Sequence, residues 1–253
     1  MSYAIVQKEL VVPPLENLQR AIRQVTFLTQ YDAHTIANDA YGILVKNLSL
    51  ENATTLQSAL KVEGVEVEMV EERTLPALPA TKFVRRLDCL PEALMIYDPL
   101  GRSFPLEWRH ILLLAAGSVR LNDFTRKQTS VPVTRYDAQG YPHVEVVTET
   151  RTKEELNFHL LLEIILHKAV QRYSVAADKF SFVYLGERMT GSVPQDFRLL
   201  VQDLARFAPQ AAINRGAYYL RENADEIFSY PSKNAFAEEI TWLLWRLAQS
   251  NPP

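Results

Sequence analysis

The chain has 253 residues, 47% of them apolar and 23% charged, and 27 Lys plus Arg against 30 Asp plus Glu leave a formal net charge of −3. This profile predicts a soluble globular protein with enough chain for one sizeable core or two smaller ones. It excludes an internal disulfide and a Cys-based zinc site, since Cys89 stands alone, and a fold built on bulk attraction to nucleic acid or anionic lipid.

No apolar run is long enough to cross a membrane. The opening Met1–Leu10 lacks the basic and apolar regions of a secretory signal, so a cytoplasmic location is expected. Tyr3 to Lys8 reads as a strand. Leu15, Leu18, Ile22 and Val25 then recur at helical spacing, and Thr29 to Tyr41 is a second helix stopped by Gly42. Ile43-Leu44-Val45 is a short strand. Ser49 is an N-cap with Glu51 behind it in the first turn. Ala53, Leu56, Ala59 and Leu60 form the buried stripe of that helix, and Gly64 ends it. Val65 to Glu71 alternates apolar and charged residues, the pattern of a half-buried strand. The order is β-α-α-β-α-β, a small sheet with helices on one face. Residues 1–73 carry six basic and ten acidic residues, so nearly all of the negative excess lies there. Pro76 and Pro79 then mark 74–80 as a linker.

Residues 81–253 predict a larger α+β domain. Leu94 to Tyr97 and Ser103 to Trp108 are short strands around the turn Asp98–Arg102. His110 to Val119 is a buried strand. Asn122 to Pro142 is polar with scattered Pro and Gly and predicts a long loop. Val144 to Glu149 resumes an extended pattern. His159 to Val175 fills both parities with apolar residues and favours a strand, although Thr152 with Glu155 also forms a capping box that would open a helix. Phe180 to Leu185 reads as a strand ended by Gly186. Pro194 to Phe207 is an amphipathic helix with Phe197, Leu200, Val201 and Leu204 inside. Ile213 to Glu222 predicts another. Ser232 caps a final helix with the stripe Phe236, Ile240, Leu243, Leu244 and Leu247, widened by Trp242 and Trp245.

The run Asn47 to Glu68 combines the Ser49 cap, Glu51, Ala53-Thr54-Thr55-Leu56, Leu60, Gly64 and the alternating Val65-Glu66-Val67-Glu68. On these residues and the element order, the span 22–70 resembles the C-terminal domain of the bacterial ribosomal stalk protein, a fold shared with a Clp-protease adaptor. The resemblance covers about a fifth of the chain and implies a docking module. The stretch Leu28–Asp39, where the stalk domain binds translation GTPases through Gly and Lys, holds Asp32 and Asp39 and neither Gly nor Lys. In the second domain, the strand-rich run Leu94 to Val119 weakly resembles a pleckstrin-homology-like barrel with an antiparallel sheet.

The eight glycines exclude phosphate cradles. Gly186 and Gly191 have the spacing of a P-loop, but Ser192-Val193 follows where Lys and Ser or Thr are required. No G-x-S-x-G elbow exists. His159, Glu163 and His167 share one side, yet their ends lie about 26 Å apart on a strand and about 12 Å apart on a helix, too far for one metal ion. The pairs Glu154-Glu155, Asp225-Glu226 and Glu238-Glu239 are adjacent residues that share no helix face. Cys89 has no cation within two residues to depress its pKa. Lys82, Arg85 and Arg86, and Arg120, Arg126, Lys127 and Arg135, are basic clusters with few aromatics between them, which disfavours nucleic acid.

One region combines binding-type residues: Asn214, Arg215, Tyr218, Tyr230 and Lys233, with Tyr and Arg enriched at binding hot spots. No catalytic residue, metal or cofactor is expected. The leading expectation is a non-enzymatic protein-interaction or adaptor protein whose partner is another protein. The alternative is a small-ligand binder or enzyme with a pocket between the sheet of the second domain and Asn214–Lys233. Self-association through Trp242 and Trp245 is a third expectation.

Overall fold

A computed structural model describes residues 1–39, 41–136, 139, 141–167 and 171–250. Two compact units emerge, one of residues 1–119 and 159–253 and one of residues 120–158. The fold is α+β, as expected, with antiparallel pairing in each described sheet.

In the first unit the expected β-α-α-β-α-β order is present as β1 (Tyr3–Gln7), α1 (Leu15–Ile22), α2 (Gln30–Asp39), β2 (Ile43–Leu48), α3 (Leu50–Val62) and β3 (Val67–Glu71). The strands form an antiparallel sheet in the order β2-β1-β3. Local signals set the helix ends. The Ser49 hydroxyl accepts from Asn52 N at 3.2 Å, and Gly64 takes φ +75 just past α3. Successive residues of β1 point to opposite faces. Ile5 joins the core made by Leu18, Ile22, Leu56 and Leu60. Val6 joins Ile43, Trp242 and Trp245 on the other side. A strand buried on both faces reads as an unbroken apolar run, and Ala4-Ile5-Val6 is fully buried.

The other face of that sheet is covered by the C-terminal helix α6 (Lys233–Ser250). Trp242 and Trp245 are buried there. Self-association through these two tryptophans is therefore corrected: their apolar area is already spent inside the chain.

The remaining elements are β4 (Thr81–Phe83), β5 (Leu87–Cys89), β6 (Leu94–Tyr97), β7 (Ser103–Leu106), β8 (Ile111–Tyr136), β9 (Pro142–Leu166), β10 (Arg172–Ala176), α4 (Val193–Phe207), β11 (Ala212–Ile213), α5 (Arg215–Arg221) and β12 (Ser229–Tyr230). β5, β6 and β7 make a small antiparallel sheet. Asp98 closes its turn by accepting from Leu100 N and Arg102 N. The larger sheet runs β11-β8-β9-β10-β4, with β12 also on β8. It is mixed, because β4 pairs with β10, and β11 and β12 with β8, in parallel. α4 buries Phe197, Leu200, Val201 and Leu204 against it, the stripe read from the sequence.

Three expectations are corrected. The polar stretch 122–142 is not a loop over most of its length: β8 continues to Tyr136 and β9 starts at Pro142. Thr152 and Glu155 lie within β9 and open no helix, and the strand expected over 159–175 is two strands, β9 and β10. Phe180 to Leu185 is not a strand. Its alternation is genuine, with Phe180 and Phe182 buried and Ser181 and Val183 exposed. Its backbone instead forms 3-10 turns over Ala177–Lys179 and Val183–Arg188.

The second unit, residues 120–158, consists of the remaining lengths of β8 and β9. Strands joined by so short a connection are antiparallel neighbours. Asn157 donates to Asp123 at 2.9 Å and Asn122 to Glu154, tying the two strands together.

Candidate functional site

The expected binding residues separate into two groups. Asn214, Arg215 and Tyr230 come together. Among the described residues, no side-chain hydrogen bond, ion pair or ring contact joins Tyr218 or Lys233 to them.

Asn214 is the N-cap of α5, and its Oδ1 accepts from Ala217 N at 2.8 Å. The same oxygen accepts from Ala116 N at 2.9 Å, and Nδ2 donates to Ala116 O at 3.1 Å and to the Tyr230 hydroxyl at 2.7 Å. The side chain thus pairs with both the N–H and the C=O of one residue of β8, Ala116. β12 carries Tyr230 onto β8 beside Val119. The Tyr230 side chain is 0% exposed, and burial together with the neighbouring Glu239 carboxylate pushes its pKa well above the ordinary phenol value.

Glu239 is the residue that sequence reasoning missed. As adjacent residues that share no helix face, Glu238 and Glu239 diverge. Glu238 reaches Lys46 at 3.1 Å. Glu239 is 0% exposed and accepts from Arg215 N at 3.0 Å and Arg215 Nε at 3.4 Å. The Arg215 guanidinium also lies over the rings of Tyr41, at 4.7 Å, and Phe228, at 4.9 Å. No signal local to Glu239 marks this, because its partners come from other elements.

With Glu239 as a fourth member, Asn214, Arg215 and Tyr230 therefore form a closed polar network. Its amide and carboxylate are already bonded within the chain, so its chemistry is to hold β8, α5, β12 and α6 in register. Tyr218, half exposed, carries Arg221 over its ring at 5.2 Å. Lys233 is exposed at the first residue of α6.

Other groups singled out from the sequence also have structural partners. Glu163 is buried against Arg172, whose Nε lies at 2.9 Å, and burial raises the Glu163 pKa despite that cation. His159 is partly buried and His167 is exposed. Among the described residues no group of three potential ligands gathers for a metal. Burial pushes the Cys89 thiol up to about 12, with Asp203 adding to the shift. A thiol held neutral is a poor nucleophile. A cavity of about 390 Å³ lies among Thr190, Arg198, Gln202, Asn223 and Asp225, within the Asn214–Lys233 span on one side, and another of about 370 Å³ lies among Ile96, Phe104, His110, Leu166, His167 and Tyr173, away from it.

The second unit presents a different surface. Val144, Val146, Leu156 and Phe158 are 67%, 65%, 53% and 62% exposed. All four occupy even positions of the continuous strand β9, so they share one face. Val133 of β8 and Tyr141 are exposed as well. Only the alternation at Val144 to Glu149 hinted at this ribbon. No helix among the described residues is long and apolar enough to cross a membrane.

No family model matches the chain, and neither a curated protein nor a solved structure matches it.

Proposed function

We propose that the protein acts by binding another protein, as an interaction or adaptor protein, and that the ribbon of residues 120–158 is its contact element. The observation that carries this reading is the group of exposed apolar side chains Val144, Val146, Leu156 and Phe158 on one face of β9, a face that also holds the exposed Glu154, in a two-stranded ribbon. Two strands alone are marginal in water, and exposed apolar side chains on them need cover. The span 22–70, with its stalk-domain-like order of elements, serves in this reading as a second docking module. A cytoplasmic site of action belongs to the same proposal. It fits the single Cys89, which leaves no internal pair to oxidise.

The test is a photo-crosslinking residue placed at Val144, Val146, Leu156 or Phe158, with Leu100 as an exposed control in the turn after β6. Discrete protein adducts at the β9 positions and none at Leu100 are expected. Adducts at neither, or equally at both, would overturn the reading.

A further inference from the structure

We infer that a cavity in the first unit, between the end of β4 and the turn after β10, binds the phosphate monoester of a small apolar alcohol. None of its lining residues belongs to the ribbon proposed above as the protein contact, so either can fail alone.

The cavity measures about 270 Å³ and is lined by Phe83, Val84, Arg85, Ala176 and Lys179. Its frame is fixed on both sides. β4 pairs with β10 in parallel, and Val84 N extends that pairing by donating to Ser174 O at 2.8 Å. Ser181 N donates to Arg85 O at 2.8 Å, which ties the segment after β4 to the one after Lys179. Val84, Ala177 and Phe180 are anchored in the core. Arg85 and Lys179 thus project from backbone that is already held, and a preformed site loses little freedom when a ligand enters.

Charge sets the sign of the ligand. Most of the described cations of the first unit have a carboxylate, as Arg172 has Glu163 and Arg188 has Asp203. The basic run read from the sequence is likewise engaged: Lys82 lies over the Tyr173 ring at 5.9 Å, and Arg86 meets Asp88 at 3.5 Å. Arg85 and Lys179 differ. Both are exposed, and among the described residues neither side chain has a hydrogen bond or an ion pair. Asp178, beside Lys179 in the chain, bridges to neither of them. A concave site with two uncompensated positive charges attracts an anion.

The number of charges narrows the class. Two cations match a dianion, and a phosphorylated hydroxyl carries about −1.5 to −2 at pH 7. The guanidinium fork of Arg85 suits two phosphate oxygens, and the Lys179 ammonium supplies a point charge to a third. A monocarboxylate would leave one cation unmatched. The rest of the lining selects the alcohol. The side chains of Phe83, Val84 and Ala176 carry no polar atom, so the hydroxyls of a sugar would lose water without gaining a partner there. Phe83 is exposed and offers its ring to an apolar or aromatic group. The volume is just below the roughly 300 Å³ at which sites for drug-sized ligands begin, so one ring or a short branched chain fits.

Isothermal titration calorimetry on the full chain, with phenyl phosphate as the probe, tests this. One molecule is expected to bind per chain, about tenfold or more tightly than inorganic phosphate, which lacks the ring, or phenylacetate, which carries a single charge. Arg85→Gln and Lys179→Gln should each weaken phenyl phosphate about fivefold, and the wild-type affinity should fall as salt rises. Phe83→Ala should weaken phenyl phosphate and leave inorganic phosphate unchanged. Lys61→Gln, which removes an exposed cation of α3, should bind as the wild type does. The substituted side chains are exposed, so circular dichroism spectra should be unchanged, and the comparison of three ligands on the wild type needs no variant. No binding of phenyl phosphate, equal affinity for the three ligands, or Arg85 and Lys179 variants that bind as tightly as the wild type would each overturn the proposal. Ribbon probes that capture a protein while phenyl phosphate fails to bind overturn this site and leave the protein-binding reading standing.

Discussion

The indole N–H of Trp242, in α6, donates to the backbone carbonyl of Gln7, in β1, at 2.7 Å and across 235 residues of sequence. It joins the last helix to the first strand. The junction is built around Gln7 itself, which is buried. Its Oε1 accepts from Gly42 N at 3.0 Å, and its Nε2 donates to Val11 O. Lys46–Glu238 at 3.1 Å and Arg246–Glu68 at 3.5 Å flank the same face. The first sheet is thus a layer between α1–α3 on one side and α6 on the other.

This arrangement separates two tryptophans that look equivalent in sequence. Trp242 has its hydrogen bond, whereas Trp245 Nε1 is buried with no partner among the described residues. Phe at either position removes similar volume. Only at position 242 does it also strip a carbonyl of its donor, a difference of about 1–3 kcal/mol. Urea unfolding should therefore show Trp242→Phe destabilised more than Trp245→Phe. Equal losses would show that the hydrogen bond contributes nothing to the junction.

Gly42 is needed at that junction twice over. Its φ of +95 lies in the left-handed region that favours glycine, and a Cβ there would overlap Trp242 Cγ. Gly42→Ala should cost about 3 kcal/mol or more, through strain and displacement of α6 together. Gly191 also has positive φ, at +79, but open space around it. Gly191→Ala should cost only about 1 kcal/mol. Paired thermal melts of the two variants check the contrast.

What was legible in the sequence was what is decided locally. Ser49 and Gly64 bracket α3 because a cap needs only its own turn, and the periodic stripe of α4 needs only its own face. The rest depends on partners distant in sequence. Residues 122–136 carry too few apolar side chains to announce a strand, and they extend because β9 lies alongside. Phe180 and Phe182 alternate like a strand, yet Ser181 N bonds the Arg85 carbonyl at 2.8 Å instead of joining a ladder. Asn214, Arg215 and Tyr230 were singled out as a binding group. They do converge, but on Glu239 and on β8, and that convergence closes the site instead of opening it.

Cys89 predicts an alkaline effect. Its folded pKa of about 12 stands above the ordinary 9.0 because burial disfavours the thiolate, with Tyr184, Asp203 and Arg188 around it. Between those values the unfolded chain loses the thiol proton while the folded chain keeps it. The unfolded state then binds fewer protons, so stability falls as pH rises, by at most about 1.4 kcal/mol per pH unit. Below pH 9 the contribution is intact. The stability advantage of wild type over Cys89→Ala should shrink as pH climbs from 9 toward 12, measured by denaturant unfolding of both proteins at each pH. A constant gap would mean that the folded thiol titrates like a free one.

The Asn214–Tyr230 bond predicts strong coupling. Tyr230→Phe removes the hydroxyl that accepts from Asn214 Nδ2, so it leaves one amide hydrogen unpaired in a dry site, for about 1–2 kcal/mol. Asn214→Asp does more damage. The two N–H groups of Ala116 and Ala217 still find an acceptor, but the donor to Ala116 O is gone. An ionised carboxylate would then face a carbonyl oxygen with no water to separate them, while Arg215 is already engaged by Glu239. The loss should reach about 3 kcal/mol or more, and it should ease at low pH as the new carboxyl becomes protonated and donates again. In a double-mutant cycle, Asn214→Ala with Tyr230→Phe should cost less than the sum of the single changes, because either one already breaks the same bond. Additive losses, or an Asn214→Asp variant indifferent to pH, would show that the two side chains do not act as one unit.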